Sequence, residues 1–258
     1  MRYSANIGFL WEDLPLPARI DAAATAGFDA VECHFPYEYE TDEVVAALQR
    51  NGLPMLGLNT RLGPDGCFGL ASVPGQEARA KGLIDQAVAY AVAIDAANIN
   101  VVAGLTADDD AATEVYRQNL RYACEQAKVH SKTIVIEPLN PRAVPGYHFS
   151  TVEDAVSTIE AVGESNLKIM FDFFHAQIVE GDLETLIRSN IHHIGHIQIS
   201  AVHDRGEPDN GELNYPYLLS VLQAVGYRGY IGAEYKPRGQ TVESGLAWLD
   251  AFRKSIPG

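Results

Sequence analysis

The feature of this sequence that most constrains its fold is a strict alternation of short apolar runs with longer helix-like runs, repeated eight times. The apolar runs predict strands at residues 3–9, 28–35, 53–59, 98–103, 133–137, 167–176, 194–200 and 230–234. The intervening runs predict helices at residues 17–26, 41–50, 76–94, 111–130, 150 or 151 to 163, 183–189, 216–224 and 242–254. Eight such units in one chain of 258 residues favour parallel strands joined by helices.

Eight strand–helix units with no Ser-rich linker predict one domain over residues 1–258, folded as a (β/α)₈ TIM barrel. The competing fold is an open doubly wound sheet, which normally carries a Gly-rich phosphate loop after its first strand. The segment after Phe9 reads Leu-Trp-Glu-Asp-Leu-Pro and has no such loop, so the barrel is favoured. A Gly- and Pro-rich loop at residues 61–75 is too long for a simple connection and is predicted to be a lid.

The charge of the chain limits its partners. A net charge of −15 argues against nucleic acid or an anionic membrane and makes a small molecule the predicted partner. An anionic substrate would then need a local cluster of Lys or Arg. Three cysteines without pairing or metal-type spacing fit a reducing compartment, and the N-terminus does not read as a signal peptide. The predicted location is the cytoplasm.

Polar side chains stand at the ends of four successive apolar strands: Glu137, Asp172, Gln198 and Glu234. In a barrel these ends meet at one mouth, where active sites are found. Each residue alone could be a satisfied loop or core group, but carboxylates gathered at one point repel one another unless a cation neutralises them. An oxygen-rich set without Cys predicts a divalent ion such as Mg²⁺ or Mn²⁺ rather than Zn²⁺.

Further polar residues are expected near the same mouth as substrate-binding groups. They follow the predicted strands or lie in the loops after them, and each has a structural alternative: Asn6, His34, Asn59, His175, Arg205 and Lys236. His175 is expected to donate a hydrogen bond to a substrate oxygen. Lys236 and Arg205 are the expected partners of a carboxylate or carbonyl oxygen.

Four segments resemble hydroxypyruvate isomerase and its close relatives, the 2-oxo-tetronate isomerases. These segments are Ile-Glu-Pro-Leu-Asn at 136–140, Asp-Phe-Phe-His-Ala at 172–176, Asp-Arg-Gly-Glu-Pro-Asp-Asn-Gly-Glu-Leu-Asn-Tyr at 204–215, and Gly-Ala-Glu-Tyr-Lys-Pro-Arg-Gly at 232–239. The resemblance spans nearly the whole chain. It implies a xylose-isomerase-like barrel, a superfamily that also contains sugar epimerases and inosose dehydratases.

The resemblance implies roles for single residues. Glu137 and Glu234 would be the proton donor and acceptor, and Glu137, Asp172, Gln198 and Glu234 would hold a divalent metal. The ketose epimerase branch usually has His where Gln198 stands, so the chain follows the hydroxypyruvate isomerase branch. Relatives tend to form dimers or tetramers, so a homo-oligomer is expected. The apurinic endonuclease branch needs a His-rich three-zinc site and a basic surface, and this chain has neither pattern.

The expected function is therefore an isomerase of carbohydrate metabolism that interconverts hydroxypyruvate and tartronate semialdehyde. The expected mechanism is a metal-assisted proton transfer by glutamate through a cis-enediol. Two enzyme alternatives stay open at this point, a 2-oxo-tetronate isomerase and a ketose 3-epimerase. A third alternative, from another class, is a non-catalytic barrel that binds a sugar acid.

Overall fold

Eight parallel strands form the wall of a barrel in the computed structural model, which describes residues 1–64, 66–106 and 109–255. In chain order the strands are β1 Arg2–Asn6, β2 Ala30–Glu32, β3 Gly57–Asn59, β4 Asn98–Asn100, β5 Thr133–Ile136, β6 Leu167–Asp172, β7 Ile194–Ile199 and β8 Tyr230–Ala233. They pair in the order β2-β1-β8-β7-β6-β5-β4-β3. A parallel bridge between Val31 and Met55 joins β2 to the segment before β3. The predicted TIM barrel is confirmed.

Helices lie between the strands along the described chain. They are α1 Leu16–Thr25, α2 Thr41–Asn51, α3 Glu77–Ala93, α4 Asp110–Lys128, α5 Val152–Val162, α6 Phe173–Val179, α7 Leu183–Asn190, α8 Tyr215–Ala224 and α9 Ala247–Ser255. The predicted helix at residues 242–254 is instead a short 3₁₀ turn, Glu243–Gly245, followed by α9. No helix in the described ranges is long and apolar enough to cross a membrane.

The start of α5 illustrates how local sequence determines a boundary. Thr151 is the N-cap, its hydroxyl accepts the N–H of Asp154, and the carboxylate of Asp154 accepts the N–H of Thr151. This reciprocal pair is a capping box. Of the two starting positions that the sequence allows, 150 and 151, the structure has the second. Gly163 ends the helix at a φ of 76°, a left-handed conformation that glycine adopts without strain.

The sixth strand is shorter than predicted. The expected run of residues 167–176 ends as a strand at Asp172, and α6 begins at Phe173. The cause is Asp172 itself, whose Oδ1 accepts the N–H of Phe174 at 2.9 Å and so caps the helix. Because apolar residues both precede and follow Asp172, the hydrophobic pattern continues across the boundary and could not reveal it. The boundary brings His175 onto the first turn of α6.

Aromatic packing on the outside of the barrel fastens the end of the described chain to its beginning. Trp248 of α9 is buried and packs edge-on against Tyr3 of β1, with ring centroids 5.8 Å apart.

The predicted lid loop at residues 61–75 is partly anchored, because the N–H of Ser72 donates to the carbonyl of Ala103 and the Asn119 side chain donates to the carbonyl of Ala71. Asp65 of that loop lies outside the described residues.

Candidate active site

Three carboxylates and one guanidinium occupy the centre of the barrel mouth. Glu137 follows β5, Asp172 ends β6 and Glu234 follows β8, and all three are buried. Arg205 reaches them from the loop after β7, with Nη2 2.8 Å from Glu234 Oε2 and 3.2 Å from Asp172 Oδ2. The guanidinium lies over the rings of Phe9 and Phe174, at 5.1 and 5.0 Å from their centroids.

The charges of this cluster do not balance. Three ionised carboxylates and one guanidinium leave two negative charges in excess. Burial, with Glu234 and Asp172 nearby, raises the pKa of Glu137 well above its ordinary value. Burial also raises the pKa of Asp172 to about 7, although Arg205 opposes the shift. Burial opposes ionisation of Glu234 as well, but Arg205 and His34 outweigh it and lower its pKa to about 2. The excess charge therefore calls for protons or for a bound cation.

The tautomer of His175 follows from its hydrogen bonds. The backbone N–H of Asn140 donates to Nδ1 of His175 at 2.8 Å, so Nδ1 is an acceptor. Burial lowers the pKa of His175 to about 3, so the ring is neutral and its proton sits on Nε2. Nε2 lies 3.6 Å from Asp172 Oδ2 and 3.9 Å from Glu137 Oε1. His175 therefore presents an N–H donor to the acidic cluster.

The other predicted residues divide into two groups. His34 reaches the cluster, since its Nε2 lies 2.9 Å from Glu234 Oε1. Asn59 and Lys236 line the cavity at the mouth, and Lys236 is exposed at its rim. Asn6 lies in the barrel interior, where its Nδ2 donates to Glu32 at 3.3 Å and its Oδ1 accepts the N–H of Gly8. Gln198 also donates to Glu32, at 3.0 Å.

Glu32, the last residue of β2, was missed by sequence reasoning. Its carboxylate is buried and accepts hydrogen bonds from Asn6 and Gln198 and from Ser4, at 3.4 Å, and it also contacts His196. The available signal was a charged residue inside the apolar run of residues 28–35. The prediction extended that strand past residue 32, which concealed the position of Glu32 at the strand end.

The donors at the mouth fit a hard divalent cation. The nearest ligand atoms of Glu137, Asp172 and His175 all lie within 4.8 Å of one another. His175 is excluded as a neutral ligand, because its Nε2 carries the proton. Among the described residues, Glu137 Oε1 and Gln198 Oε1 are buried oxygens without a hydrogen-bond partner. Unpartnered buried oxygens and an excess of two negative charges suit a bound metal cation.

The cavity above the cluster has a volume of about 530 Å³. Its apolar lining includes Phe9, Phe35, Phe68, Leu139 and Phe174. Its lining also contains the cations Arg142, Arg205 and Lys236. Arg142 and Lys236 are exposed and form the cationic rim of the cavity, whereas Arg205 is engaged by carboxylates below. A cationic rim in a chain of net charge −15 suits a small anionic ligand.

Fold and site together define a TIM-barrel protein with an acidic mouth whose donors can hold a metal ion. A family model described as "xylose isomerase-like TIM barrel" matches residues 20–252, and the chain belongs to this family. The 2-oxo-tetronate isomerase of Cupriavidus necator is 43% identical over 97% of this chain and 98% of its own length. The hydroxypyruvate isomerase of Escherichia coli is 36% identical over 98% of this chain and 100% of its own.

A solved structure agrees with this assignment. The crystal structure described as "AP endonuclease, family 2" from Brucella melitensis is 40% identical, covers 97% of this chain and 98% of its own, and superposes with a TM-score of 0.94. The resemblance inferred from the sequence motifs is confirmed. The relatives from Cupriavidus necator and Escherichia coli are both named as isomerases.

Proposed function

We propose that this chain isomerises short 2-oxo acids that carry a hydroxyl group on C3, with hydroxypyruvate and tartronate semialdehyde as the three-carbon pair. In this reaction one proton moves from C3 to C2 and another moves from the C3 oxygen to the C2 oxygen. The observation that carries the proposal is the buried, unpartnered Oε1 of Glu137 at the barrel mouth, beside the N–H donor of His175.

Glu137 is the proposed proton carrier between the two carbons. A general base works best when its pKa lies near the working pH, and burial moves the pKa of Glu137 upward from the ordinary carboxyl range. Its Oε1 has no partner within the described structure. The oxygens of Glu234, in contrast, are bound by His34 and Arg205. A single carboxylate that removes the proton from C3 and returns it to C2 matches a cis-enediol intermediate.

Negative charge develops on the substrate oxygens as the C3 proton leaves, and two donors are available to meet it. His175 stays neutral because burial lowers its pKa to about 3, and its Nε2–H can donate without first losing a charge. Arg205 supplies a fixed positive charge beside the same carboxylates. Glu234 orients Arg205 and His34, and His34 is the proposed carrier of the proton between the two oxygens.

The cationic rim supports a substrate with a carboxylate. Arg205 already faces Asp172 and Glu234, so Lys236 and Arg142 are the cations left for a carboxylate entering the cavity. A neutral ketose would offer neither cation a carboxylate, which disfavours the 3-epimerase alternative. A polynucleotide would be repelled by a chain of net charge −15, and this repulsion disfavours the nuclease activity named for the Brucella protein.

The residues that would hold Mg²⁺ or Mn²⁺ are Glu137, Asp172, Gln198 and Glu234. Their chemistry fits the ion, since it is oxygen-rich and carries an excess of negative charge. When bound, such an ion would supply positive charge that drives the proton off Glu137 and polarises the substrate carbonyl.

A second candidate substrate is the four-carbon 2-oxo-tetronate, which has the same reacting atoms with a CH₂OH group added at C3. Two observations favour it: the relative of that name at 43% identity, and a cavity of about 530 Å³ that exceeds the needs of a three-carbon acid. Both substrates call for the same residues in the same roles.

The test is proton NMR of the purified protein in D₂O with hydroxypyruvate, 2-oxo-tetronate and a ketohexose, each with and without Mn²⁺ or Mg²⁺. Deuterium entering either acid together with product formation supports the proposal, and the relative rates identify the preferred chain length. Exchange in the ketohexose alone would indicate that the protein is a ketose 3-epimerase instead. No exchange in any compound with metal present would contradict catalysis and leave a sugar-acid-binding barrel.

A further inference from the structure

A second buried polar cluster lies in the barrel interior around the carboxylate of Glu32. Its hydrogen-bond donors include Ser4 and Asn6 from β1 and Gln198 from β7, and His196 of β7 also contacts it. The barrel leaves room for this carboxylate at Gly232 of β8, where an added Cβ would lie 2.6 Å from Glu32 Oε1. None of the steps assigned above to the proton-transfer residues uses Glu32, so a buried carboxyl group at this position needs another explanation.

The contact between Glu32 and Gln198 determines which way the Gln198 amide points. Its Nε2 donates to Glu32 Oε1 at 3.0 Å. Both oxygens of Glu32 act as acceptors, Oε1 for Asn6 and Gln198 and Oε2 for Ser4, so the NH₂ end of Gln198 faces Glu32 and its carbonyl end faces away. That carbonyl oxygen, Oε1, is buried and has no partner in the described part of the chain. The strand register pairs Gln198 with Asp172, a member of the acidic cluster at the mouth.

We propose that Glu32 is a positioning residue that orients the Gln198 amide so that its oxygen, and not its NH₂ group, is available to the cation. The inference rests on the proposed function, in which Gln198 is one of the residues that hold the ion. The reversed amide would bring its oxygen against the Glu32 carboxylate and its NH₂ hydrogens toward the cation. Both contacts are repulsive, so Glu32 selects one orientation.

The first experiment measures Mn²⁺ affinity by electron paramagnetic resonance on the full chain. Substitution E32Q replaces the carboxylate with an amide that can donate as well as accept, so the Gln198 amide loses its fixed orientation. The expected result is Mn²⁺ binding weaker by about tenfold or more, as is usual when a group that orients a metal ligand is changed. The matched control is S4A, which removes another donor to the same carboxylate and leaves Gln198 untouched. S4A should keep the wild-type affinity.

Because E32Q also removes a carboxyl group, a second experiment keeps the number of carboxyl groups constant. The exchanged pair E32Q/Q198E reverses the hydrogen bond, with the new amide at position 32 donating to the new carboxylate at position 198. In Q198E alone two carboxylates face each other inside the barrel. Thermal unfolding of the metal-free proteins should therefore show a large loss of Tm in Q198E and recovery in the exchanged pair.

The two experiments separate failure of this inference from failure of the proposed function. Wild-type Mn²⁺ affinity in E32Q, or equal Tm values for Q198E and the exchanged pair, would overturn the role of Glu32 and leave the proposed isomerase intact. If the wild-type protein binds no Mn²⁺, the metal in the proposed function is wrong. The Tm comparison then decides alone: recovery in the exchanged pair supports the orientation of Gln198 by Glu32, and no recovery overturns it.

Discussion

Arg205 donates to Glu234 Oε2 at 2.8 Å, and this ion pair joins the loop after β7 to the end of β8. The backbone supports the same junction, because the N–H of Lys236 donates to the carbonyl of Arg205 at 2.7 Å. Arg205 itself has a φ of 58°, in the left-handed region. The Arg205 guanidinium at the barrel mouth is therefore held by the loops after β7 and β8, which are about 30 residues apart in sequence.

The same junction explains why two of the sequence motifs occur together. The backbone N–H of Arg238 donates to the Glu207 carboxylate at 3.1 Å, and its side chain forms an ion pair with Asp209 at 2.9 Å. Gly206 leaves space for the Arg238 side chain, which an added Cβ would meet directly. The motifs at residues 204–215 and 232–239 are thus two halves of one structure that holds Arg205 in the site.

The first prediction separates the roles of the two glutamates. E137Q should lower deuterium exchange into the substrate and turnover together, by about three orders of magnitude, because it removes the proton carrier. E234Q should lower turnover through the loss of the partner of Arg205 and His34, while measurable exchange persists. Proton NMR in D₂O follows both rates in one sample. Exchange that is lost in E234Q and kept in E137Q would assign the proton transfer to Glu234 instead.

The second prediction concerns the shape of the Arg205 side chain. R205K keeps the positive charge but loses the planar group that spans Asp172 and Glu234. We expect kcat to fall by about a hundredfold, the usual effect of removing one donor to a developing oxyanion. The control is R188K, since Arg188 forms an ion pair with Glu184 on the surface of α7. A wild-type kcat in R205K would remove the guanidinium from the mechanism.

The third prediction tests the cationic rim. K236M and R142M should each raise KM for a 2-oxo acid by about tenfold, because a charged hydrogen bond to the carboxylate is lost, with a smaller effect on kcat. Since both side chains are exposed, added salt should raise KM in the wild type and have less effect in the double variant. K128M is the control, because Lys128 pairs with Glu164 away from the mouth. Unchanged KM values would mean that the carboxylate binds elsewhere.

The barrel and much of its mouth could be predicted from the sequence because both depend on local patterns. An apolar run followed by a carboxylate identified the positions of Glu137 and Glu234 at the ends of strands. The end of β6 could not be identified in this way, because Asp172 ends the strand and caps α6 at once. The roles of the predicted site residues, and the predicted dimer or tetramer, stay predictions.

Two features of the site depend on contacts between residues far apart in the chain, and no local pattern announces them. The proton of His175 is assigned to Nε2 by the backbone N–H of Asn140, 35 residues earlier. The buried carboxylate of Glu32 is explained by donors on β1 and on β7, the latter 166 residues away. Sequence reasoning could name Gln198 as a candidate but could not find the group that orients it.

The last prediction is that the metal-free protein loses stability as the pH rises above about 6.5, and that Mn²⁺ restores it. The folded-state pKa is about 7 for Asp172, against an ordinary value of 3.8, and for Glu137 it lies well above an ordinary 4.5. By pH 6.5 the unfolded chain has already released both protons, whereas the folded chain keeps the proton of Asp172 until the pH passes about 7 and keeps that of Glu137 well above the ordinary carboxyl range. The folded state therefore loses free energy relative to the unfolded state as it is forced to ionise.

The starting pH is chosen because of His175. Burial lowers its folded pKa to about 3 from an ordinary 6.5, so its contribution rises with pH only up to about 6.5 and is constant above that. Glu234, with its pKa lowered to about 2, contributes a constant amount throughout this range. The fall above pH 6.5 is therefore assigned to Asp172 near pH 7 and to Glu137 beyond it.

The measurement is Tm by circular dichroism after treatment with a chelator, from pH 6.5 to 8.5, with and without Mn²⁺. Because an ion must displace these protons to bind, Mn²⁺ should raise Tm more at pH 8.5 than at pH 6.5. E137Q removes one of the charges, so its metal-free profile should be flatter and its Tm at pH 8.5 higher than that of the wild type. A flat wild-type profile, or a profile unchanged by E137Q, would mean that the surplus negative charge of the mouth is neutralised by another group.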